Sequence, residues 1–274
     1  GLSDFEISLL QGFAFALLYS VAAIPLGRLV DRSNRRSRII VVGVLFWSAM
    51  TMVCGLARSF GQLFAARIGV GIGEATLSPT AYSLISDYFE ARRRALAISF
   101  YAIGYPIGGG LALVIGGALL THFTQMGGAV LPVFGALAPW QMVFVVVGLP
   151  GIVVALLLLT IREPQRRELA VAAPDDTLTV RQTLAYLRTH WRLYGMLIGS
   201  ISLIGMLSIG VTLWYPTFLV RTYQMPIAQA GLYYGLLMLV CGTIGTIMGG
   251  WISGRLMRKG RADANMQIVL ATTV

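Results

Sequence analysis

GRLVDRSNRR, residues 27 to 36, and GWISGRLMRK, residues 250 to 259, close two apolar stretches of this chain in the same way. At a constant offset of 223 residues, Gly27 matches Gly250, Arg32 matches Arg255, Arg35 matches Arg258 and Arg36 matches Lys259, while upstream Gly12 matches Gly235. Self-similarity at a fixed offset is the mark of an internal repeat, and here both copies also hold the same place at the charged end of an apolar run. Seven such runs are complete, over about residues 7 to 30, 37 to 57, 61 to 86, 95 to 120, 140 to 161, 193 to 219 and 229 to 254, and an eighth begins near Ala264. Each is long enough to cross the hydrocarbon layer as a helix. The copies end the first and seventh runs, so the period is six spans in one orientation and two parallel halves follow.

Composition excludes the other classes. The chain has 274 residues, of which 57% are hydrophobic and 12% charged, with mean hydropathy +0.77. That charge content is about half of an ordinary globular domain's ~25%, too little to cover a water-soluble surface. A net charge of +10 could suit nucleic acid, but the basic residues sit in short clusters between apolar runs, where they set topology, and no nucleic-acid partner is expected. Alternate loops hold 17 of the loop cations against 2 in the others, which places loops 31–38, 87–94, 162–192 and 255–263 on the cytoplasmic side of a cell (inner or plasma) membrane. Residues 1–6 then lie outside, and a crossing upstream of them is expected, so the chain holds spans two to eight and part of nine of a twelve-span parent. AVAAPDD, residues 170–176, reads as a linker. It separates a first half (1–171) from a linker (172–192) and the start of a second half (193–274). In the linker Val180, Leu184, Leu187 and Trp191 recur at helical spacing opposite Arg181, Arg188 and Arg192, the pattern of a helix lying in the membrane interface. Cys54 and Cys241 lack metal-ligand spacing, so no metal or other cofactor is expected.

GRLVDRSNRR resembles the signature between helices two and three of the major facilitator superfamily, a Gly followed by Asp-Arg and paired basic residues. ARIGVGIGEATLSPTAYSLISDYF, residues 66 to 89, resembles helix four of its spinster-like transporters. Similarity also appears in SFYAIGYPIGGGL at 99 to 111, IREPQRR at 161 to 167 and LWYPTFLVRTY at 213 to 223. The resemblance implies an all-α, polytopic membrane protein with the major facilitator fold of two parallel six-helix halves, of which this chain holds about helices two to nine. It further implies a monomeric secondary transporter working by alternating access among membrane lipids. Asn34 stands where the pattern has a second glycine, and Asn tolerates the left-handed backbone a tight turn there would need.

Two ionisable residues fall within apolar runs, Arg67 and Glu74. Such a residue costs ~2.5 to 3.5 kcal/mol to insert and defaults to a functional reading. Seven residues apart on one helix, they share a face within about 20 degrees and stand roughly 10 Å apart along the axis. Gly71 and Ser78 fall on the same face, leaving room for the arginine to reach the glutamate or for a polar headgroup to enter. Arg67 would attract an anionic group while Glu74 takes up and releases a proton; the alternative is a permanent ion pair that fixes packing. The resemblance adds that helix four of spinster-like transporters lines the central cavity. Tyr19, Ser78, Tyr101, Tyr105, Trp214 and Tyr215 are candidate cavity-lining groups. The residues of this chain that match the superfamily's cytoplasmic gate are Gly27, Asp31, Arg32, Arg35 and Asp87. Small-xxx-small pairs at Gly69/Gly73, Gly104/Gly108 and Gly245/Gly249 permit close helix approach, and Pro79 or Pro106 could bend a helix.

The expected function is proton-coupled transport of a small anionic or amphiphilic organic solute, either lysolipid-like or a small organic anion. The absence of HExxH, Gly-x-Ser-x-Gly or a membrane-embedded Asp pair argues against an enzyme. A seven-helix receptor is suggested only by the count of complete spans, and the parallel repeat argues against it.

Overall fold

The computed structural model describes residues 2–131, 135–166, 180–260 and 264–273. Helix α1 runs Asp4–Arg32, and its start is set by a capping box in which Ser3 and Glu6 satisfy each other's backbone N–H groups. Helix α2 is Arg36–Leu56. Helix α3, Phe60–Glu74, begins at Ser59, whose hydroxyl accepts from the Gln62 backbone N–H. Helix α4 is Leu77–Tyr88, and α5 is a 35-residue helix over Ala91–Gln125. A hairpin of β1, Ala129–Leu131, and β2, Gly135–Leu137, leads to α6, Pro139–Leu158. Helix α7 is Val180–Thr189, α8 is Trp191–Tyr223, α9 covers 227–258 and α10 is Ala264–Thr273. Six helices among the described residues are long and apolar enough to cross a membrane, and the protein is an integral membrane protein of all-α class.

The chain forms two compact units. One comprises Gly1–Pro164 with Ile227–Val274, the other Gln165–Pro226. In the first, α2 is the central helix: Ile40, Val41, Val44, Ser48 and Cys54 are buried along it. Small residues let its neighbours press close, since a Cβ on Gly148 of α6 would come 2.9 Å from the Ser48 carbonyl oxygen. Between helices in lipid this close approach, rather than expulsion of water, supplies the attraction. The second unit holds α7 and α8; no residue of α8 is fully buried.

Several expectations change. The run at 61 to 86 is not one helix: it breaks at Ala75–Thr76. Pro79 explains the position, because its nitrogen cannot donate to the carbonyl of Ala75 and its ring crowds that carbonyl. Thr76 closes the end of α3 by donating both its hydroxyl and its backbone N–H to the Gly73 carbonyl oxygen, at 2.8 and 3.3 Å. Pro106, by contrast, lies inside an unbroken α5. The hairpin was not anticipated; left-handed glycines lead into its strands, Gly127 and Gly128 between α5 and β1 and Gly135 at the start of β2, φ +74°, +86° and +71°. Asn34 does not adopt the left-handed backbone. Gln224 is the one non-glycine residue that does among those described, and the turn before α2 is held instead by the Ser33 hydroxyl accepting from the Arg35 backbone N–H at 3.0 Å. The linker stretch AVAAPDD lies outside the described residues, as does the Val180 side chain.

Of the three glycine pairs, only Gly69 and Gly73 are closely packed: a Cβ on them would meet Met50 and Trp47 of α2. One on Gly104, Gly108, Gly245 or Gly249 would have nothing described within 4 Å. The tight contact of α5 is made one helix face over, where Gly110 and Gly235 of α9 oppose each other.

Candidate functional site

Helix α1 contains a π-turn at Leu9–Phe13, a local widening of the helix that loosens its hydrogen-bond ladder. The carbonyl of Leu10, inside that turn, accepts from Nε of Arg67 at 3.3 Å. The guanidinium also sits over the Phe15 ring, 5.8 Å from its centroid. Glycine at 71 makes this possible, because a Cβ there would come 2.8 Å from the Phe15 carbonyl oxygen, so α3 lies with its backbone against α1. The small residue at 71 thus serves the close approach of α1.

Glu74 is the last residue of α3, at the break and at the negative end of that helix's dipole. Arg67 and Glu74 are both half-buried, and their charges interact through space, yet no ion pair joins them among the described residues. Past the break, Ser78 on the first turn of α4 stands 3.5 Å from the Tyr101 hydroxyl of α5. Tyr82 meets the Tyr101 ring edge-on at 5.4 Å between centroids. Tyr19 and Glu74 also lie within electrostatic reach of the Tyr101 hydroxyl. Phe15 stacks on Tyr19 at 5.5 Å and so joins the arginine to this cluster. Four helices, α1, α3, α4 and α5, and the break between α3 and α4 thus gather a cation, a carboxyl and several hydroxyls.

Tyr82 was missed, although it stands four residues after Ser78 and so shares its face. Tyr105 is exposed on α5 and outside the cluster. Trp214 and Tyr215 lie on α8 in the second compact unit, where Tyr215 packs against Phe218 at 5.9 Å.

At the charged ends of the helices the structure selects a different arginine from the one expected. Arg36, 1% exposed, donates to Asp87 at 2.5 Å, to Glu163 at 2.9 Å and to the Ser83 hydroxyl at 2.8 Å. Glu163 also accepts from the Ser37 backbone N–H at 2.8 Å and from its hydroxyl. The start of α2, the end of α4 and the segment after α6 are stapled together by these contacts. Burial alone would raise the Glu163 pKa, but the Ser37 hydroxyl, the Ser37 N–H and Arg36 together hold it below the usual carboxylate value. Of the five expected gate residues only Asp87 belongs to this buried set. Asp31, Arg32 and Arg35 are exposed, and Gly27 is half-buried with nothing described within 4 Å of a Cβ built on it. Arg35 is turned out because it is the cap before α2, with φ −132° and ψ 51°, and the helix proper starts one residue later. The paired basic residues and IREPQRR carried the signal for Arg36 and Glu163; the spacing could not say which arginine of the pair points inward.

Comparison with known proteins fits this architecture. The sequence pattern of the Major Facilitator Superfamily matches residues 1–273. An MFS-type efflux pump of Mycolicibacterium smegmatis is 30% identical over 265 residues, 94% of this chain and 56% of the pump. A Bacillus subtilis protein named "Probable galactarate/D-glucarate transporter GudP" is 29% identical over 275 residues, 91% of this chain and 56% of that protein. The crystal structure of a bacterial homolog of the human lysosomal transporter Spinster, inward-facing and unoccupied, matches with a TM-score of 0.70 at 34% identity, covering 94% of this chain and 56% of that one. The chain spans about half the length of these relatives, which are transporters rather than enzymes. With the repeat, the helices and the family pattern agreeing along almost the whole length, this chain belongs to the Major Facilitator Superfamily and is spinster-like.

Proposed function

We propose that the chain carries the substrate and proton site of a secondary transporter that moves a small anionic or amphiphilic organic solute by alternating access. Arg67 attracts the anionic group, Glu74 binds and releases the coupling proton, and Tyr19, Ser78, Tyr82 and Tyr101 offer hydroxyls to the solute. The observation that carries this reading is the helix break directly after Glu74. Freed backbone groups, a carboxyl and hydroxyls meet there, and Arg67 is held by Leu10 and Phe15 rather than neutralised by Glu74. Discontinuous helices at mid-membrane are where transporters of several folds place substrate and ion sites. The arginine-rich loops are taken as cytoplasmic, the halves as meeting near residue 172, the protein as a monomer, and Asp31, Arg32, Arg35 and Asp87 with Gly27 as part of the gate on that side.

The experiment is transport by the intact protein in proteoliposomes under an imposed pH gradient. Glu74→Gln is expected to abolish pH-driven accumulation while leaving counterflow exchange measurable. Unchanged accumulation in that variant would remove Glu74 from the coupling step. Arg67→Gln is expected to weaken uptake of anionic solutes in both assays.

A further inference from the structure

A cleft of about 370 Å³ opens between the end of α1, the start of α2 and the end of α3, at the arginine-rich ends of the first two. Leu29, Val42, Phe46 and Ile72 line it and are exposed. Gly43 and Gly73 form its floor, where a Cβ on Gly73 would stand 3.1 Å from the Gly43 carbonyl oxygen, and the cleft ends on Thr76 at the helix break. Two guanidinium groups, Arg35 and Arg38, stand at its mouth, and none of its described lining residues is acidic. Glu163, which lines a neighbouring cleft together with Arg35 and Arg38, is already held by Arg36 and Ser37.

We propose that this cleft is a binding site for one anionic phospholipid, distinct from the Arg67–Glu74 site and sharing only Arg35 with the gate of the transport reading. The phosphate lies between Arg35 and Arg38, whose planar forks match phosphate oxygens, and an acyl chain runs over Leu29, Val42 and Phe46 toward the glycine floor. Charge complementarity identifies the occupant: an apolar slot alone would accept any lipid tail, but a slot entered past two cations, with no acid in its lining, selects a negative headgroup. A chain seated there touches the α2–α3 contact next to Thr76, so the lipid would brace the break that follows Glu74.

Native mass spectrometry of the intact protein in mild detergent tests this, with phosphatidylglycerol and phosphatidylcholine supplied in equal amounts. The wild type is expected to retain one phosphatidylglycerol. Arg35→Gln with Arg38→Gln should weaken that retention roughly 30-fold, from about fivefold per basic side chain near a charged leaflet. Val42→Trp, or Leu29→Trp if the first misfolds, fills the slot with both charges intact and should also lose the lipid. Arg181→Gln with Arg188→Gln, on α7, should keep it. Retention of phosphatidylglycerol by the slot-filling variant would show that headgroups only adsorb to surface charge and would overturn the site. Equal loss in the α7 control, or no preference over phosphatidylcholine in the wild type, would do the same.

Discussion

Arg36 is the clearest case of a single residue deciding local structure, since a cation 1% exposed must be met by charge or return to water. Asp87 meets it from the end of α4 and Glu163 from the segment after α6, and Ser83 and the Pro164 carbonyl take further N–H groups. Removing one partner of such a set leaves an uncompensated buried charge, which is why the three behave as a unit. Glu163 gives this unit a pH dependence whose sign is fixed by its lowered pKa. Its contacts stabilise the fold fully above the ordinary carboxylate value, and that contribution is lost as pH falls through the lower folded value. The expected outcome is a melting temperature of the detergent-solubilised protein that drops between about pH 5 and pH 3 more steeply in the wild type than in Glu163→Gln. Parallel profiles would assign the acid sensitivity to other carboxylates. The sequence showed that this end of the protein is charged and which motif holds it. It could not distinguish Arg35 from its neighbour, because one residue of offset at a helix start turns a side chain by about 100 degrees.

At the scale of elements, apolar length was enough to locate every described span, while interruptions depended on context. Pro79 and Pro106 looked equivalent, yet only Pro79 breaks its helix. At the Pro79 break, Thr76 gives its hydroxyl as well as its backbone N–H to the Gly73 carbonyl and Gly73 allows α2 to come close; such local side-chain support is what makes a proline break tolerable in lipid. The same limit applies to the glycines. Gly108 and Gly110 differ by two positions, so they point in quite different directions, and which one meets another helix depends on a partner that periodicity does not name. The break itself leads to a prediction. Pro79→Ala restores a backbone donor and removes the ring clash, so the α3–α4 segment should gain about 1 to 3 kcal/mol of stability, up to the usual cost of an interior proline. Transport should fall at least tenfold, because the backbone groups opened beside Glu74 would close into a helix, an instance of stability gained at the expense of activity. Thermal unfolding and proteoliposome uptake measured on the same preparation check both signs. A more stable variant with unaltered uptake would make the break a packing feature only.

Across the whole molecule, the 223-residue repeat places α1 and α9 as counterparts, and both carry a π-turn, at Leu9–Phe13 and Met238–Gly242. In α1 that turn supplies the carbonyl that holds Arg67; in α9 it lies beside Pro106 of α5, where a Cβ on Gly242 would come 2.8 Å from the proline Cβ. Seven residues earlier in α9, Gly235 opposes Gly110 of α5 backbone to backbone, each with the other's carbonyl oxygen under 3 Å from where a Cβ would stand. If the halves divide near residue 172 as proposed, this α5–α9 contact joins them; Leu113, Val114 and Leu239 flank the glycine pair, whose missing side chains let the two backbones pass close to each other. Gly235→Leu should therefore hold the two helices apart, lowering transport by the intact protein at least tenfold through lost alternation between its two states, since packed interfaces are bistable rather than continuously deformable. Gly108→Leu, on the same α5 with nothing described within 4 Å of a Cβ there, should transport at close to the wild-type rate. The discriminating measurement is solvent accessibility of a single cysteine placed at Ser78, labelled from each side of the membrane: the Gly235 variant is expected to label from one side alone, and labelling from both sides at wild-type rates would show that this glycine contact is not where the halves move.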